Sequence, residues 1–250
     1  MRKVITLLTV VLCVLILKSE VIATVYFYDT GLSYTIGAVP GNDTYLGSIV
    51  NDDLWLDYNT ANTPGTHLNL ADGGSVGGDL EAFGNSSVNI SGGSVGNHTH
   101  SHDNSSVTIS GGSAGINIYA SDNSTITMNG GSVGYGLRAY GNGMIYLDGS
   151  NFAVTAGGVT TALTIGQSLS IYGTLIEGDT VYYTGTITGT LVKGGTLDNT
   201  FRIYIYNPPN EAYAGTADIV IIPEPCTLSL LALGGVALLR KRRRAYLLMV

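Results

Sequence analysis

A phrase that returns every 19 residues constrains this chain more than any other feature. NSSVNISGGSVG at 85–96 recurs as NSSVTISGGSAG at 104–115 and as NSTITMNGGSVG at 123–134. Aligned on that period, Val76, Val95, Ala114 and Val133 form one column, and Leu80, Thr99, Ile118 and Leu137 another. Ala82, Ser101, Ala120 and Ala139 follow, then Val88, Val107, Ile126 and Ile145, then Ile90, Ile109, Met128 and Leu147. Within a copy these positions lie two apart, the period of a strand with one buried face. A helix needs spacings of three and four, and the glycine pairs would break it.

One copy holds about three short strands separated by glycine turns, which predicts an all-β parallel β-solenoid (β-helix) of about 19 residues per coil. Asn85, Asn104, Asn123 and Asn142 are expected to line one corner as an amide ladder. A leucine-rich horseshoe needs regular leucines that are missing, and a β-sandwich does not explain columns at fixed period. A single coil cannot bury enough apolar surface to offset the entropy of ordering it, so coils need neighbours and the ends need caps. The strict repeat runs from Gly73 to Gly149, and HLNLADGG at 67–74 reads as a looser earlier coil. The expected organisation is therefore a leader at 1–23, an amino-terminal cap containing Trp55 at 24–66, and solenoid repeats at 67–175. Terminal coils and a cap follow at 176–221, then a carboxyl-terminal segment at 222–250.

The leader reads MRKVITLLTVVLCVLILKSEVIA: two cations, an apolar run and a small residue at the end. That pattern is a secretory signal peptide, drawn as a helix, with cleavage after Ala23; a membrane anchor is the alternative, although the run is short. Cys13 and Cys226 are the two cysteines of the chain, so the region between Thr24 and Ile222 has no disulfide. In that region the cations are Arg138, Lys193 and Arg202, set against all of the 18 acids except Glu20 and Glu224. Such a surface repels nucleic acid and anionic lipid.

The carboxyl end reads IPEPCTLSLLALGGVALLRKRRRAYLLMV. Its apolar run from Cys226 to Leu239 ends in the cationic block Arg240, Lys241, Arg242, Arg243 and Arg244. As a helix the run rises about 21 Å against a hydrocarbon core of roughly 30 Å, so spanning relies on snorkelling arginines. Pro223, Glu224 and Pro225, the apolar run and the arginine block together resemble the PEP-CTERM sorting signal of exported Gram-negative proteins. The resemblance covers roughly the last 28 residues. It implies export through the Sec translocon, trimming by signal peptidase and a precursor held in the inner membrane by the carboxyl-terminal helix. An exosortase would then recognise Pro223, Glu224 and Pro225 and remove the tail. The VNISGGSVG coils followed by GTLVKGGTLDNTF at 189–201 also resemble a recurring passenger of such proteins. That likeness implies a fold and an address, not an activity.

NHTHSHDN at 97–104 places His98, His100 and His102 two apart and facing outward, because Thr99 and Ser101 occupy inward columns. Residues two apart on a flat strand are roughly 6–7 Å from each other, too far for zinc unless the strand bends. The equivalent positions, Asp79, Asn117 and Gly136, then Glu81, Tyr119 and Arg138, repeat no ligand type. Surface histidines are the preferred reading over a metal site. Asp103 and Asp122 are equivalent, so their carboxylates are about 5 Å apart. Without the calcium-binding nonapeptide pattern they read as turn residues. Six Asn-x-Ser/Thr sequons begin at Asn42, Asn85, Asn89, Asn97, Asn104 and Asn123, four of them written by the repeat itself.

No carboxylate pair faces Arg138, the cation of the repeat block, and no nucleophile elbow or phosphate loop is present. The expectation is a non-enzymatic, cofactor-free surface or extracellular-matrix protein associated with exopolysaccharide. Tyr119 and Tyr140, in outward columns, motivate the alternative of a carbohydrate-binding adhesin. A polysaccharide-cleaving enzyme is the remaining rival.

Overall fold

In the computed structural model, the described residues are 26–28, 33–36, 44–45, 49–50, 52–58, 65–177, 180–206 and 215–223. All regular structure among them is β, and no helix there is long and apolar enough to cross a membrane. The signal helix with Ala23, the carboxyl-terminal helix with Arg240, Lys241, Arg242, Arg243 and Arg244, and Glu224 and Pro225 lie outside the described residues.

The chain opens with β1 (Tyr26–Tyr28), β2 (Ser33–Ile36), β3 (Thr44–Tyr45), β4 (Ile49–Val50), β5 (Leu54–Leu56) and β6 (His67–Leu70). The first strict copy contributes β7 (Ser75–Val76), β8 (Leu80–Ala82) and β9 (Ser87–Ile90); the second gives β10 (Ser94–Val95), β11 (His98–Ser101) and β12 (Ser106–Ile109). Then come β13 (Asn117–Ala120), β14 (Thr125–Met128) and β15 (Gly136–Ala139). Each copy therefore winds once around three faces, and equivalent strands pair in parallel at the period of the repeat. On one face Leu80 pairs with Thr99, Thr99 with Ile118 and Ile118 with Leu137. On a second, Val88, Val107, Ile126 and Ile145 are partners in turn. The third is narrow, with Val76 beside Val95 and serine bridges continuing it through Ser113 and Ser132. This arrangement is consistent with a parallel β-solenoid.

The columns become the core. Leu80, Ile90, Ile109, Ile118, Ile126, Leu137 and Leu147 are fully buried, while the residues between them face out. At the corner after β8, β11 and β13, Gly84, Asp103 and Asp122 occupy the left-handed region, which the phrase fills with glycine or aspartate because both tolerate it. The next serine but one turns inward: Ser105 Oγ donates to the Ala82 carbonyl at 2.9 Å and Ser124 Oγ to the Ser101 carbonyl at 2.7 Å. The asparagine between them stays outside. The amide ladder is observed at its last step, where Asn142 Nδ2 donates to Asn123 Oδ1 at 3.0 Å.

Residues 24–66, read from the sequence as a cap, hold strands in register with the repeat. Strand β5 pairs with both β1 and β8, β6 with β2 and β9, and β4 with β7, all in parallel; β3 flanks β2. Their coils are longer than the strict copies. Asp57, just after β5, is tied to Thr66, just before β6: Thr66 donates to its carboxylate through the backbone N–H at 2.7 Å and through Oγ1 at 2.6 Å, all of it buried.

A correction applies beyond Leu147, where the expectation carried the repeats to residue 175. The chain continues through β16 (Met144–Ala156), with a bulge at Asn151, whose φ is 56°, and turns into antiparallel β17 (Val159–Ala162), β18 (Thr174–Glu177), β19 (Thr180–Leu191) and β20 (Thr196–Tyr206). The physical reason is local. Where earlier copies break the strand with a Gly-Gly pair, this one reads Asp148-Gly149-Ser150-Asn151, and alternation resumes with Phe152 and Val154 buried. The winding then closes: β20 pairs in parallel with β15, and β21 (Asp218–Ile222) with the start of β16. Glycines 185 and 189 of β19 leave room for rings, since a Cβ at either would meet Phe201 Cε1 at 2.8 Å or Phe152 Cδ1 at 2.0 Å.

Candidate functional site

The outer surface of the ladder β5–β8–β11–β13–β15–β20 gathers most of the chemistry-bearing side chains. Register builds it as columns parallel to the solenoid axis. One column runs Trp55, Glu81, His100, Tyr119, Arg138, Arg202. Beside it Phe83 stacks on His102 with centroids 4.5 Å apart, and Tyr140 stacks on Tyr204 at 4.1 Å.

His98, His100 and His102 do point away from the core, yet they are half-buried members of an aromatic row rather than isolated surface groups. The His100 ring lies flat on Tyr119 at 4.3 Å and parallel to His102 at 5.6 Å, while His98 meets His100 and Tyr119 edge-on. Tyr119 continues to Tyr140, and Tyr204 to Tyr182. Arg138 lies 5.3 Å over the Tyr119 ring and Arg202 4.9 Å over Tyr182, so two of the body's cations face rings rather than a carboxylate pair. Burial, with Tyr204 adding to it, pushes the Tyr140 phenol above its ordinary value, so it stays protonated.

Burial also holds His100 well below its ordinary 6.5, at about 4; Glu81 pulls it upward, and His102 and His98 push it further down. Its imidazole is therefore neutral near pH 7. Between pH 6.5 and 4 the unfolded chain binds the proton that folded His100 refuses. Stability is thus expected to be intact above about pH 6.5 and to fall by up to about 3 kcal/mol toward pH 4. Urea midpoints at pH 7 and 4.5, measured in EDTA for the parent and His100→Gln, check this; the variant should show the flatter pH dependence, and equal slopes would contradict it.

The three histidines do not converge on one point. Register instead brings His100 beside Glu81 of the preceding coil, with Asp79 next along that coil. Among the described residues, Asp79, Glu81 and His100 form the one group of three His, Cys, Asp or Glu side chains whose donor atoms all lie within 4.8 Å of one another, each half-buried. No family model, curated protein or solved structure matches the chain.

Asp79 and Glu81 do not stand out in the sequence because no ligand type repeats down their columns. The usable signal was the period itself: adding one repeat to position 81 gives position 100, so unlike residues become neighbours. Asp103 and Asp122 are turn residues, and their carboxylates accept backbone N–H groups of the preceding coil, from Gly84 at 2.9 Å and Asp103 at 3.3 Å. At the far end of the face, a cavity of about 310 Å³ is lined by Ser170, Tyr183, Tyr204 and Asp218 among others. There Ser170 Oγ donates to Asp218 Oδ2 at 3.2 Å, and no histidine is among the lining residues to activate that serine.

Proposed function

We propose that the chain is an exported, non-enzymatic structural protein of the bacterial cell surface or extracellular matrix, associated with exopolysaccharide. An exosortase reads its carboxyl tail. The supporting observation is that β21, the last described strand, pairs back onto β16 through Ile222, and Pro223, the first residue of the Pro-Glu-Pro motif, follows it directly. The Sec translocon and signal peptidase act before the exosortase, at Ala23, and the inner membrane holds the precursor until the tail is cut.

The face described above supports a structural role more than a lectin. Sugar recognition by stacking needs exposed ring faces. Here the faces of His100, Tyr119, Tyr140 and Tyr204 are turned toward one another, which leaves edges outward and ties successive coils together. The cleaving-enzyme reading lacks its basic residue opposite paired carboxylates, since Arg138 and Arg202 lie over tyrosine rings.

Replacing Pro223, Glu224 and Pro225 together by alanine is expected to leave the tail attached and the protein in the membrane fraction of the producing bacterium. Immunoblotting of membrane and extracellular fractions is the measurement. Release equal to that of the parent would contradict the proposal.

A further inference from the structure

We propose that Asp79, Glu81 and His100 form a binding site for one first-row divalent cation, of which zinc is the best match, bridging two successive coils on the outer face of β8 and β11. This inference is independent of the export reading. The site was hidden because its ligands come from different coils: the parallel pairing sets His100 directly beside Glu81, and Asp79 shares Glu81's face two residues earlier.

Two carboxylates and one imidazole are a donor set for zinc or its neighbours, whereas calcium and magnesium favour oxygen-only shells with more ligands. The two negative charges match the ion. A tetrahedral ion with bonds of about 2.0–2.1 Å needs donor atoms roughly 3.4 Å apart. The donors here all lie within 4.8 Å, so rotation of the side chains by on the order of an ångström closes the shell. A fourth position remains on the solvent side for water.

The surroundings already hold these ligands in place. Asp79 accepts the His98 backbone N–H on Oδ1 at 2.9 Å, leaving Oδ2 for the ion, and its own N–H donates to Asp53 Oδ1 at 2.7 Å. His100 is packed flat against Tyr119. His102 Nδ1 pairs with Ser121 Oγ at 2.8 Å, which fixes the ring so that Nε2 points at Glu81 Oε2, 3.6 Å away. That Nε2 is shielded from solvent and makes no hydrogen bond among the described residues. His102 is thus a positioning residue: a small inward swing of Glu81 toward the ion lets its second oxygen accept from Nε2–H, the outer partner that metal-bound carboxylates commonly have. In a body without disulfides, such an ion joins two coils at a cost met by its own binding energy.

The test uses the full-length chain in detergent, stripped with EDTA and titrated with zinc chloride by calorimetry. Cobalt absorption gives the coordination number, and thermal melts are run with and without zinc. One equivalent should bind, raise the melting temperature and give a tetrahedral cobalt spectrum. His100→Gln and Glu81→Gln should each weaken binding by at least about tenfold. Asp79→Asn keeps an acceptor for the His98 N–H, and so separates loss of a ligand from loss of fold. It too should weaken binding while the metal-free melt stays near that of the parent. His102→Gln should weaken binding about 10–100-fold and leave the cobalt spectrum tetrahedral, as expected of an outer partner. No saturable binding overturns the proposal. So does binding of parental affinity in His100→Gln or Asp79→Asn, which would place the ion elsewhere.

Discussion

Gly112→Val is expected to destabilise the protein by more than about 4 kcal/mol, enough to unfold the middle of the solenoid. Two effects add. Gly112 has φ of 65°, where an L-residue pays about 1–2 kcal/mol and a β-branched one more. In addition, its Cβ would stand 2.4 Å from the Gly92 carbonyl oxygen and 2.5 Å from that of Gly93 in the coil below. Those oxygens cannot retreat freely, because Gly93 O accepts the Ser113 N–H that joins the two coils. Gly157 separates the two effects: its φ is 56°, yet nothing lies within 4 Å of a Cβ there. Gly157→Ala should cost only about 1 kcal/mol. Urea unfolding of Gly112→Ala, Gly112→Val and Gly157→Ala checks the order; equal losses at positions 112 and 157 would mean that coil-to-coil contact is not what the glycine pair serves.

Phe201→Ala is expected to cost about 3–5 kcal/mol and to change how the protein associates. Phe201 is fully buried and extends the Leu80–Thr99–Ile118–Leu137 column by one coil, with Gly185 leaving room for its ring. It is therefore the main apolar tie between the antiparallel cap and β15. Losing it leaves a cavity and loosens β20 from β15, and an uncovered parallel edge recruits other strands. Denaturant unfolding should show the lower midpoint, and size-exclusion chromatography should show concentration-dependent association. A loss under about 1 kcal/mol with unchanged elution would contradict the view that β20 caps the winding.

The sequence was most informative where the chain repeats. One slip in register would put Val88 and Ile90 outside and Asn89 inside, so the alternation and the period together left one solution for β7 to β15. Past Leu147 that redundancy ends. In β16 and β20 the alternation of a solenoid coil continues, with Phe152 and Val154, and Phe201 and Ile203, facing in, so the pattern of a strand with one buried face does not tell its partner's direction. The looser coils before Gly65 escaped the period for a related reason: β5 and β8 lie further apart in sequence than the repeats do, which breaks the spacing although Leu54 still pairs with Leu80. At the outer face, the direction of His98, His100 and His102 followed from the inward Thr99 and Ser101. Their stacking on Tyr119 and Phe83, and the placing of Glu81 beside His100, depend on neighbours in other coils and became visible only once register was fixed.

Intact mass measurement of the protein recovered from the extracellular matrix and, separately, from membranes of the producing bacterium tests the central claim most directly. The account predicts a matrix form that begins near Thr24 and ends near Pro223, with the full tail confined to a membrane precursor. A protein found only in membranes, with its carboxyl tail intact, would contradict it and make the chain a tail-anchored surface protein.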